Sequence, residues 1–472
     1  MKKKPKHNDK NAVAKEAASP PVPVSVGDTV RLRIEALNHD GEGVGRLNGF
    51  TVFVPGALPG EVAETRVISL QKRYARALPA SLAEISPYRR EPHCDLYNVC
   101  GGCQLLHLDY QEQLRFKEKT VSEALRRIGG TAMQVRPIIG METPWRYRNK
   151  IQVPFGVKNS GIAAGYYGKR SHDIIDMKSC LLQRTSGDLV INTIRRIMED
   201  LEIPAYNEKN HSGLVRHVLG RQSFSNDNLL IVIVTNGRSF PRKDQFIAAL
   251  RDAIPGIVGI VQNINTGRTN IILGAEEITL WGEPWLWDNL GGFNFKISPG
   301  SFFQINPLQT EALYEKVVEY AALTGSETVF DLYCGIGTIS LFLAHGAGRV
   351  IGVELDAAAV EDAKENVKVN GIGNVDFYEG AAEKIVPYLY KNGNRADVAV
   401  VDPPRKGCAA DLLETMTVMQ PQRIVYVSCN PATLARDLGF LKQNGYFPRE
   451  AQAVDMFPQT THVETVVWLQ RK

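Results

Sequence analysis

Cys429, near the carboxyl terminus, is the side chain in this sequence with the clearest chemical potential. It follows the apolar run 424–427 and a serine, and helix-forming sequence covers 432–444 after Pro431. This pattern predicts a thiol at the carboxyl end of a buried strand, the edge of an open α/β sheet where ligands and catalytic groups collect. Such a thiol is a candidate nucleophile; the alternative is a free cysteine that only packs in the core.

Three other polar residues stand where they can meet a ligand at that edge. Asp402 ends the predicted strand 397–401 and precedes two prolines, and Glu464 directly precedes the apolar strand 465–469. Gln304 follows two phenylalanines, where its amide can read the edge of a base or bind part of a cofactor. A structural cap and loop packing are the alternative roles for Asp402 and Gln304.

A glycine pair, Gly335 and Gly337, separates the predicted strand 328–332 from a helix, and Glu354 ends the following strand. This arrangement is typical of a nucleotide-like ligand whose ribose hydroxyls meet a carboxylate. The third glycine of the dinucleotide fingerprint is missing, and no phosphate-binding lysine follows. S-adenosylmethionine, an adenosine ligand without phosphates, therefore fits better than NAD or ATP.

Cysteines also form a second candidate site. Cys94, Cys100 and Cys103 lie within ten residues, and Cys180 is the remaining cysteine before the C-terminal third. In a reducing compartment such a group indicates metal or redox chemistry rather than disulfides. Four thiolates suit either zinc or an iron–sulfur cluster, and spacing alone does not choose between them. Unrelated buried thiols are the remaining alternative.

Cations alternate with aromatic residues in two segments. Arg146, Arg148 and Lys150 fall in the segment 145–150, where we expect an exposed sheet face that presents them to phosphates. The segment 71–76 interleaves a tyrosine with three cations, as a single-strand-binding surface does. A salt-bridged surface strand and a charged barrel edge are the structural alternatives.

The fold predicted to position these residues is a multidomain α/β architecture. Residues 1–22 form a disordered basic tail, and the glycine-punctuated strands of 23–84 form a small OB-like antiparallel barrel. Residues 85–295 form a central α+β domain that carries the cysteines and an amphipathic helix at 109–128. Regular βαβ alternation over 296–472 predicts a doubly wound, largely parallel Rossmann-like sheet.

Composition limits the class of protein. The 472 residues are 44% apolar and 22% charged, as in an ordinary soluble chain. The sequence has no apolar run of about 18 residues and no secretory signal, so we expect a cytoplasmic protein without membrane contact. A net charge of +4 is too small to establish a nucleic-acid partner.

Together these motifs resemble the RNA uracil-5-methyltransferase family, in particular its large-subunit ribosomal RNA enzymes with a TRAM domain. The resemblance extends from about residue 23 to the end of the chain. The matching features are the barrel, the four cysteines, Phe-Phe-Gln-Ile-Asn at 302–306, Asp-Leu-Tyr-Cys-Gly-Ile-Gly at 331–337, Asp-Pro-Pro-Arg at 402–405, Ser-Cys-Asn-Pro at 428–431 and His-Val-Glu at 462–464.

The resemblance implies a role for each matching residue. Cys429 is the implied nucleophile that adds to carbon 6 of uracil, and Glu464 is the implied base that removes the proton from carbon 5. The implied S-adenosylmethionine ligands are Gln304, Tyr333, Gly335, Gly337, Glu354 and Asp402, of which Gln304 and Asp402 also lie near the uracil. The implied [4Fe–4S] ligands are Cys94, Cys100, Cys103 and Cys180. The implied partner is ribosomal RNA, bound by a monomer. The resemblance also implies that the helix at 109–128 packs against the catalytic domain.

Other functions remain open at this stage. The same reaction on transfer RNA is the nearest alternative, although the barrel and the cysteines favour ribosomal RNA. DNA cytosine methylation is disfavoured, because its enzymes carry a Pro-Cys pair where this chain has Asp402 followed by two prolines. A non-catalytic RNA-binding factor is the alternative from a different class.

Overall fold

The computed structural model describes residues 22–158 and 161–472, so the tail predicted for 1–22 lies outside the described residues except for Val22. The chain divides between Arg89 and Arg90 into two compact units. In the part of the chain that the structure describes, no helix has the length and apolar character needed to cross a membrane.

The first unit contains the predicted small barrel. Its strands close in the order β1-β2-β3-β5-β4. They are β1 (Thr29–Leu37), β2 (Gly43–Leu47), β3 (Phe50–Val54), β4 (Val62–Leu70) and β5 (Tyr74–Glu84). Alternate residues such as Leu32, Ile34 and Val52 point inward and are fully buried. Gly43 is required by close packing, since a Cβ there would lie 2.7 Å from the carbonyl oxygen of Ala57.

A helix and a strand follow an irregular cysteine-containing segment. They are α1 (Tyr110–Arg127) and β6 (Gln134–Ile139). Asp109 caps α1 by accepting a hydrogen bond from the backbone N–H of Gln111 at 3.0 Å, so the predicted helix is confirmed to within a residue at each end.

The central sheet has the strand order β12-β11-β10-β9-β7-β8. Its elements are β7 (Lys150–Lys158), β8 (Gly161–Ala164), α2 (Thr185–Asp200), β9 (Val215–Gln222), β10 (Leu229–Thr235), α3 (Lys243–Ala253), β11 (Ile257–Ile264) and β12 (Glu276–Gly282). The apolar faces of α2 and α3, including Ile194 and Phe246, share one core with Val153, Val218 and Ile231 of the sheet. The strands are rich in β-branched residues because both sheet faces are covered.

A hairpin leads into the C-terminal α/β region. The hairpin and the elements after it are β13 (Leu286–Leu290), β14 (Phe293–Ile297), α4 (Pro307–Ala321), β15 (Thr328–Leu332), α5 (Thr338–Ala344), β16 (Arg349–Glu354), α6 (Ala357–Val369), β17 (Val375–Glu379), α7 (Ala382–Lys391), β18 (Val398–Val401), α8 (Ala410–Met419), β19 (Arg423–Ser428), α9 (Pro431–Gln443), β20 (Tyr446–Val454) and β21 (Glu464–Arg471). The sheet order is β17-β16-β15-β18-β19-β21-β20-β6.

This sheet is largely parallel, as predicted. Strands β17, β16, β15, β18 and β19 run parallel, whereas β21 is antiparallel to both β19 and β20. The reversal brings the start of β21 to the same edge as the carboxyl ends of the parallel strands. Residues at that edge come from six strands, which are spread over residues 328–471.

Two elements from before residue 296 pack with the C-terminal region: strand β6, and helix α1, which the resemblance implies packs there. Strand β6 pairs in parallel with β20, and Val121 and Leu125 of α1 share a core with Leu434 and Leu438 of α9. The boundary predicted at residue 296 falls inside β14, whose Phe295 packs in a core with α4 and α5.

The exposed sheet face predicted for 145–150 is wrong. Arg146 has a left-handed backbone (φ 53°), and β7 begins only at Lys150. The backbone N–H groups of Arg146 and Arg148 donate to Leu181 and Leu182 carbonyls at 2.9 and 3.0 Å. Because the segment pairs with this loop and becomes a strand only at Lys150, it does not form the predicted sheet face.

Candidate active site and cysteine site

Strand register brings Cys429 and Glu464 together. Ser428 pairs with Thr465 between antiparallel β19 and β21, so the same register extended by one residue places Cys429 opposite Glu464. Directly opposed residues of antiparallel strands point to the same face of the sheet. A thiol and a carboxyl group thus meet at the edge where β15, β16 and β18 also end.

The acidic groups at this edge have free hydrogen-bonding capacity; Glu464 is buried and Asp402 is half-buried. Glu464 is 3% exposed, and Asp402 follows directly after β18. Among the described residues, neither carboxylate has a hydrogen-bond partner, and nor does the side-chain amide of Gln304, which is 6% exposed. The polar atoms of these three side chains are not sealed from solvent. Side chains with unused hydrogen-bonding groups at one accessible edge indicate a ligand site.

Burial and like charges shift the proton affinities at this edge. Burial, followed by the charges of Glu464 and Asp402, raises the pKa of Cys429 to about 11, and Arg405 acts in the opposite direction. Burial and Asp402 raise the pKa of Glu464 well above its ordinary value, again opposed by Arg405. Burial raises the pKa of Asp402 to about 7. Perturbed groups that act on one another are typical of catalytic sites.

Arg405 is a residue of this site to which sequence reasoning gave no role. Its side chain is exposed, and its positive charge acts on both Cys429 and Glu464. Its carbonyl oxygen accepts hydrogen bonds from Asn430 Nδ2 and Thr433 Oγ1, each at 3.1 Å. These bonds hold the Asp-Pro-Pro-Arg loop against the start of α9. The motif itself was the available signal, because it places a cation three residues after Asp402.

The predicted cofactor loop joins β15 to α5 beside Glu354. The backbone N–H groups of Tyr333 and Cys334 donate to the Val353 carbonyl oxygen at 2.9 and 3.1 Å. Gly335 donates its N–H to Glu354 Oε2 at 3.0 Å. Glu354 Oε1 also accepts from the N–H groups of Leu355 and Asp356 at 2.7 and 2.9 Å. The carboxylate is therefore fixed, and one lone pair of Oε2 is left to accept from a ribose hydroxyl.

Two glycines give this loop its shape. Gly335 and Gly337 both have positive φ, as does Tyr333 between β15 and the glycines. A Cβ on Gly337 would lie 2.8 Å from the Phe377 ring, whereas no heavy atom lies within 4 Å of the Cβ position of Gly335. The open side at Gly335 leaves room for a ligand, which fits the S-adenosylmethionine predicted there.

The segment 298–306 is held rigidly beside the site. Asp362 accepts hydrogen bonds from Ser298 Oγ and Ser301 Oγ at 2.9 and 2.8 Å. Asn306, fully buried, caps α4 and donates from Nδ2 to the Met456 carbonyl oxygen at 3.1 Å. Asn306 therefore has a structural role, and Gln304 is the amide of this segment left available for a ligand.

The four predicted cysteine ligands lie near one another. Burial raises the pKa of Cys103, and the charges of Cys180, Cys100 and Cys94 raise it further. The N–H of Gly102 points at Cys100 Sγ at 3.4 Å. Among residues 22–158 and 161–472, however, no three His, Cys, Asp or Glu side chains are arranged closely enough to hold one metal ion. The thiols interact electrostatically but are not arranged around a single ion.

Arg148 carries positive charge to this cysteine site. Burial lowers the pKa of its guanidinium, but Tyr166, Tyr147, Cys180 and Cys103 raise it more. Its Nε is buried without a hydrogen-bond partner in the described part of the chain. The neighbours of this guanidinium are thiols and not a carboxylate. Such an environment is consistent with an anionic group bound by those thiols.

Arg146 and Lys150, the other two residues predicted to bind phosphates, have different environments. Arg146 Nη1 donates to Asp188 Oδ2 at 2.8 Å and to the Cys180 carbonyl oxygen at 2.7 Å, so its charge is engaged within the protein. Lys150 is half-buried, and burial together with Arg221 and Arg148 lowers its pKa to about 7. Lys150 therefore lies among cations and can be stabilised by a bound anion.

Hydrogen bonds connect the cysteine segment to the loop before Glu464. The N–H groups of Gln104 and Leu105 donate to the Gln459 carbonyl oxygen at 3.1 and 3.0 Å. Gln113 Nε2 donates to Gln459 Oε1 at 2.9 Å. The two candidate sites are thus joined through one residue, Gln459, whose left-handed backbone (φ 69°) is held by these bonds.

Comparison with known proteins gives consistent matches. The family model described as tRNA (Uracil-5-)-methyltransferase matches residues 289–472, and the TRAM domain model matches residues 23–79. An uncharacterized RNA methyltransferase of Halalkalibacterium halodurans is 49% identical over 451 residues, covering 95% of this chain and 98% of the relative. A further uncharacterized RNA methyltransferase, from Clostridium tetani, is 48% identical over 94% of this chain and 97% of its own.

One solved structure matches nearly the whole chain. It is the Pyrococcus abyssi tRNA (uracil-54, C5)-methyltransferase in complex with S-adenosyl-L-homocysteine. It is 29% identical, has a TM-score of 0.75, and the match covers 93% of this chain and all of that one. The likeness therefore includes the fold that surrounds the edge with Cys429 and Glu464.

Proposed function

This chain belongs to the S-adenosylmethionine-dependent RNA uracil-5-methyltransferase family and carries a TRAM domain, and we propose that it methylates carbon 5 of a uridine in 23S ribosomal RNA. Cys429 is the nucleophile and Glu464 the base. The observation that carries this proposal is the β19–β21 register that opposes Cys429 to Glu464 at the edge holding Asp402.

The reaction needs a nucleophile because carbon 5 of uracil is itself unreactive toward a methyl donor. The Cys429 thiolate adds to carbon 6, and the resulting enolate makes carbon 5 nucleophilic. S-adenosylmethionine supplies the electrophilic methyl group when bound. Glu464 then removes the proton from carbon 5, the carbon 6–sulfur bond breaks, and the thiolate leaves with its electron pair. The uracil regains its double bond, and Cys429 is returned unmodified.

Polar groups of the site that have no protein partner position the uracil and the cofactor. The amide of Gln304 and the carboxyl group of Asp402 can hydrogen-bond the polar edge of uracil, because neither has a partner in the described structure. Glu354, Tyr333, Gly335 and Gly337 are placed for the adenosine part of the cofactor. A uridine must leave its stack to reach Cys429, at a cost of a few kcal/mol that contacts with flanking RNA offset.

We propose that Cys94, Cys100, Cys103 and Cys180 hold a [4Fe–4S] cluster. A cluster of several irons holds its thiolates farther apart than one zinc ion does, which is consistent with thiols that interact without surrounding a single ion site. Two cations lie near the proposed cluster. The charge of Arg148 lowers the pKa of Cys103, and the charge of Lys169 lowers the pKa of Cys100. The proposed role is structural, because uracil methylation needs no electron.

Transfer RNA is the second candidate substrate. The Pyrococcus abyssi relative is named for uridine 54 of transfer RNA, and its match covers 93% of this chain. Domain content therefore does not separate the two substrates. Ribosomal RNA is preferred here because the sequence motifs, with the cysteine spacing among them, resemble those of the large-subunit enzymes.

A methyl-transfer assay tests the reaction and the substrate together. Purified protein is incubated with S-adenosylmethionine labelled in its methyl group and with unmodified transcripts of 23S ribosomal RNA or of transfer RNA. We expect 5-methyluridine in the ribosomal RNA only. Label confined to transfer RNA would support the second candidate.

Replacement of Cys429 separates an enzyme from an RNA-binding factor. Cys429→Ala should abolish methyl transfer while RNA affinity is kept. Undiminished methyl transfer by this variant would disprove the proposed mechanism.

A further inference from the structure

A cavity in the central α+β region has no role in the reaction described above. It has a volume of about 880 Å³ and opens to solvent beside β7 and β9. Cavities of about 300–1,000 Å³ hold organic ligands of drug size, so one or more nucleotides fit. Its walls are the segments 154–158, 167–175, 206–209 and 269–272, and Arg216 and His217 of β9 line it.

We propose that this cavity binds a second base of the substrate RNA, a nucleobase other than the uracil that is methylated. The proposal rests on the proposed RNA substrate and adds a binding site to it. Sequence-specific proteins recognise single-stranded RNA by stacking splayed bases on aromatic rings and by hydrogen-bonding the edges of the bases. The cavity offers both kinds of contact.

His217 provides the group for hydrogen bonding to a base edge. The His217 ring lines the cavity and makes no hydrogen bond in the described part of the chain. Its Nδ1 is buried, which leaves Nε2 as the ring nitrogen that can meet a base. Burial and the charge of Arg216 lower the pKa of His217 to about 4, so the imidazole is neutral at pH 7. A neutral imidazole both donates and accepts, which matches the mixed donors and acceptors of a nucleobase.

The exposed ring of His172 and the half-buried ring of Tyr167 provide the stacking surface, and Arg216, packed on the buried Tyr206 ring, also lines the cavity. The rings of Tyr167 and His172 lie 5.3 Å apart between centroids. The guanidinium of Arg216 lies 4.6 Å from the centroid of the Tyr206 ring and donates to the carbonyl oxygens of Asn265 and Gly267 at 2.6 and 2.7 Å. Stacked arginine and aromatic faces are preferred contacts for RNA bases.

Charge at the cavity also favours a polyanion that carries bases. Arg216 is 6% exposed and has no carboxylate partner among the described residues. Lys158 and Lys209 lie at the wall with it, together with the acids Asp173 and Glu208. Glu208 is engaged with His172 at 3.2 Å. The cations exceed the free acids, so phosphates next to a bound base are not repelled.

The wall with Tyr167 is fixed by the cysteine segment. Gly101 donates its N–H to the Tyr167 carbonyl oxygen at 2.9 Å, and Lys169 donates its N–H to the Val99 carbonyl oxygen at 3.1 Å. The stacking surface is therefore held in place before RNA binds, which lowers the entropy lost on binding.

Substitution of His217 tests the site. His217→Leu keeps the approximate shape but removes hydrogen bonding, whereas His217→Gln keeps a donor and an acceptor. We expect His217→Leu to raise KM for the methylated transcript roughly tenfold with kcat unchanged, and His217→Gln to restore much of the loss. Lys243→Ala, an exposed cation of α3 outside the cavity, is the matched control and should behave as wild type. Circular dichroism checks that each variant is folded.

Cross-linking gives a second readout that does not depend on folding of a variant. The wild-type protein is irradiated with the 23S transcript, or with the transfer RNA transcript if that is the one methylated, made with 4-thiouridine. We expect cross-linked peptides from 167–175 or 206–217. Cross-links confined to other peptides, with an unchanged KM for His217→Leu, would overturn this proposal while leaving the methyltransferase function intact. Failure of the wild-type protein to methylate either RNA would instead overturn the proposed function, and the second-base site with it.

Discussion

Lys117 Nζ lies 2.5 Å from Asp455 Oδ1, and both side chains are completely buried. Lys117 also donates to the Phe457 carbonyl oxygen at 3.0 Å, and Tyr110 Oη donates to Asp455 Oδ2 at 2.8 Å. The pair joins α1 to the loop that leads from β20 to Glu464. A helix from the N-terminal half of the chain thus fixes the approach to the proposed catalytic base.

We expect Asp455→Leu to lower the free energy of unfolding by roughly 3–5 kcal/mol, because it leaves a buried ammonium group without its partner. The double variant Lys117→Met/Asp455→Leu removes both charges and should recover much of that loss. Urea unfolding followed by near-ultraviolet circular dichroism measures both.

An exposed ion pair provides the control for the comparison of the single and double variants. Glu361 and Lys364 on α6 are 2.7 Å apart with both side chains more than half exposed. Glu361→Ala should change the free energy of unfolding by less than about 0.5 kcal/mol. Equal losses for the buried and exposed pairs would contradict the role given to Lys117 and Asp455.

The pH dependence of the reaction should follow the thiol of Cys429. Its pKa is raised to about 11, chiefly by burial, so the thiolate is scarce at pH 7 and increases as pH rises toward that value. We therefore expect kcat/KM for RNA to rise from pH 7 to pH 9. Arg405 opposes the raised pKa, so Arg405→Gln should lower kcat/KM and move the rise to higher pH.

Arg405→Lys is the matched variant, since it keeps the charge. It should retain most of the wild-type pH profile. A profile for Arg405→Gln that coincides with that of wild type would show that this cation does not act on the nucleophile.

Local patterns were sufficient to predict much of the fold. The bounds of β15 (Thr328–Leu332) agree with those predicted, and those of α1 (Tyr110–Arg127) agree to within one residue, because their apolar periodicity and flanking residues are unambiguous. The pairing of β6 with β20 was not predictable, since it joins residues more than 300 positions apart. The left-handed Arg146 was missed because its conformation depends on a loop near Leu181, not on neighbours in sequence.

The site was predictable in its residue types but not in its connections. Cys429 and Asp402 followed from their positions after apolar strands. The opposition of Glu464 to Cys429 depends on the antiparallel register of β21, which no local pattern specifies. Asn306 carries the same kind of amide as Gln304 two residues away, and its contact with the Met456 carbonyl oxygen, which gives it a structural role, is visible only in the structure.

RNA affinity should depend on the protonation of Lys150. Its pKa is lowered from 10.5 to about 7, mainly by burial, so it is charged below pH 7 and neutral above. A phosphate beside it favours the charged form, and binding should then take up a proton near pH 7.5. We expect weaker RNA binding at pH 8.5 than at pH 6.5, measured by fluorescence anisotropy at constant salt.

The variant Lys150→Met should bind RNA with the same affinity at pH 6.5 and pH 8.5. Lys243→Ala again serves as the control, because its side chain is exposed on α3. A pH dependence that persists in Lys150→Met would assign it to another group.

Gly337 should be essential to the cofactor loop. Alanine there must adopt φ +81° and would place its Cβ 2.8 Å from the Phe377 ring. Gly371→Ala has a comparable positive φ of +66° without any atom within 4 Å, so it measures backbone strain alone. We expect Gly337→Ala to cost more stability than Gly371→Ala and to weaken S-adenosylmethionine binding at least tenfold, as measured by calorimetry. Equal affinity in the two variants would contradict the placement of the cofactor.

The cysteine site should bind iron and sulfide, with Arg148 stabilising the negative charge of the cluster. Protein purified without oxygen should be brown and contain iron and sulfide in equal amounts, whereas a colourless protein with one zinc would disprove the cluster. Arg148→Leu removes a cation that acts on Cys103 and Cys180. Its cluster absorbance should therefore bleach several-fold faster in a chelator than that of wild type. Arg196→Leu, which removes an exposed arginine of α2, is the control and should bleach at the wild-type rate. Equal bleaching rates in the two variants would show that Arg148 does not stabilise the cluster.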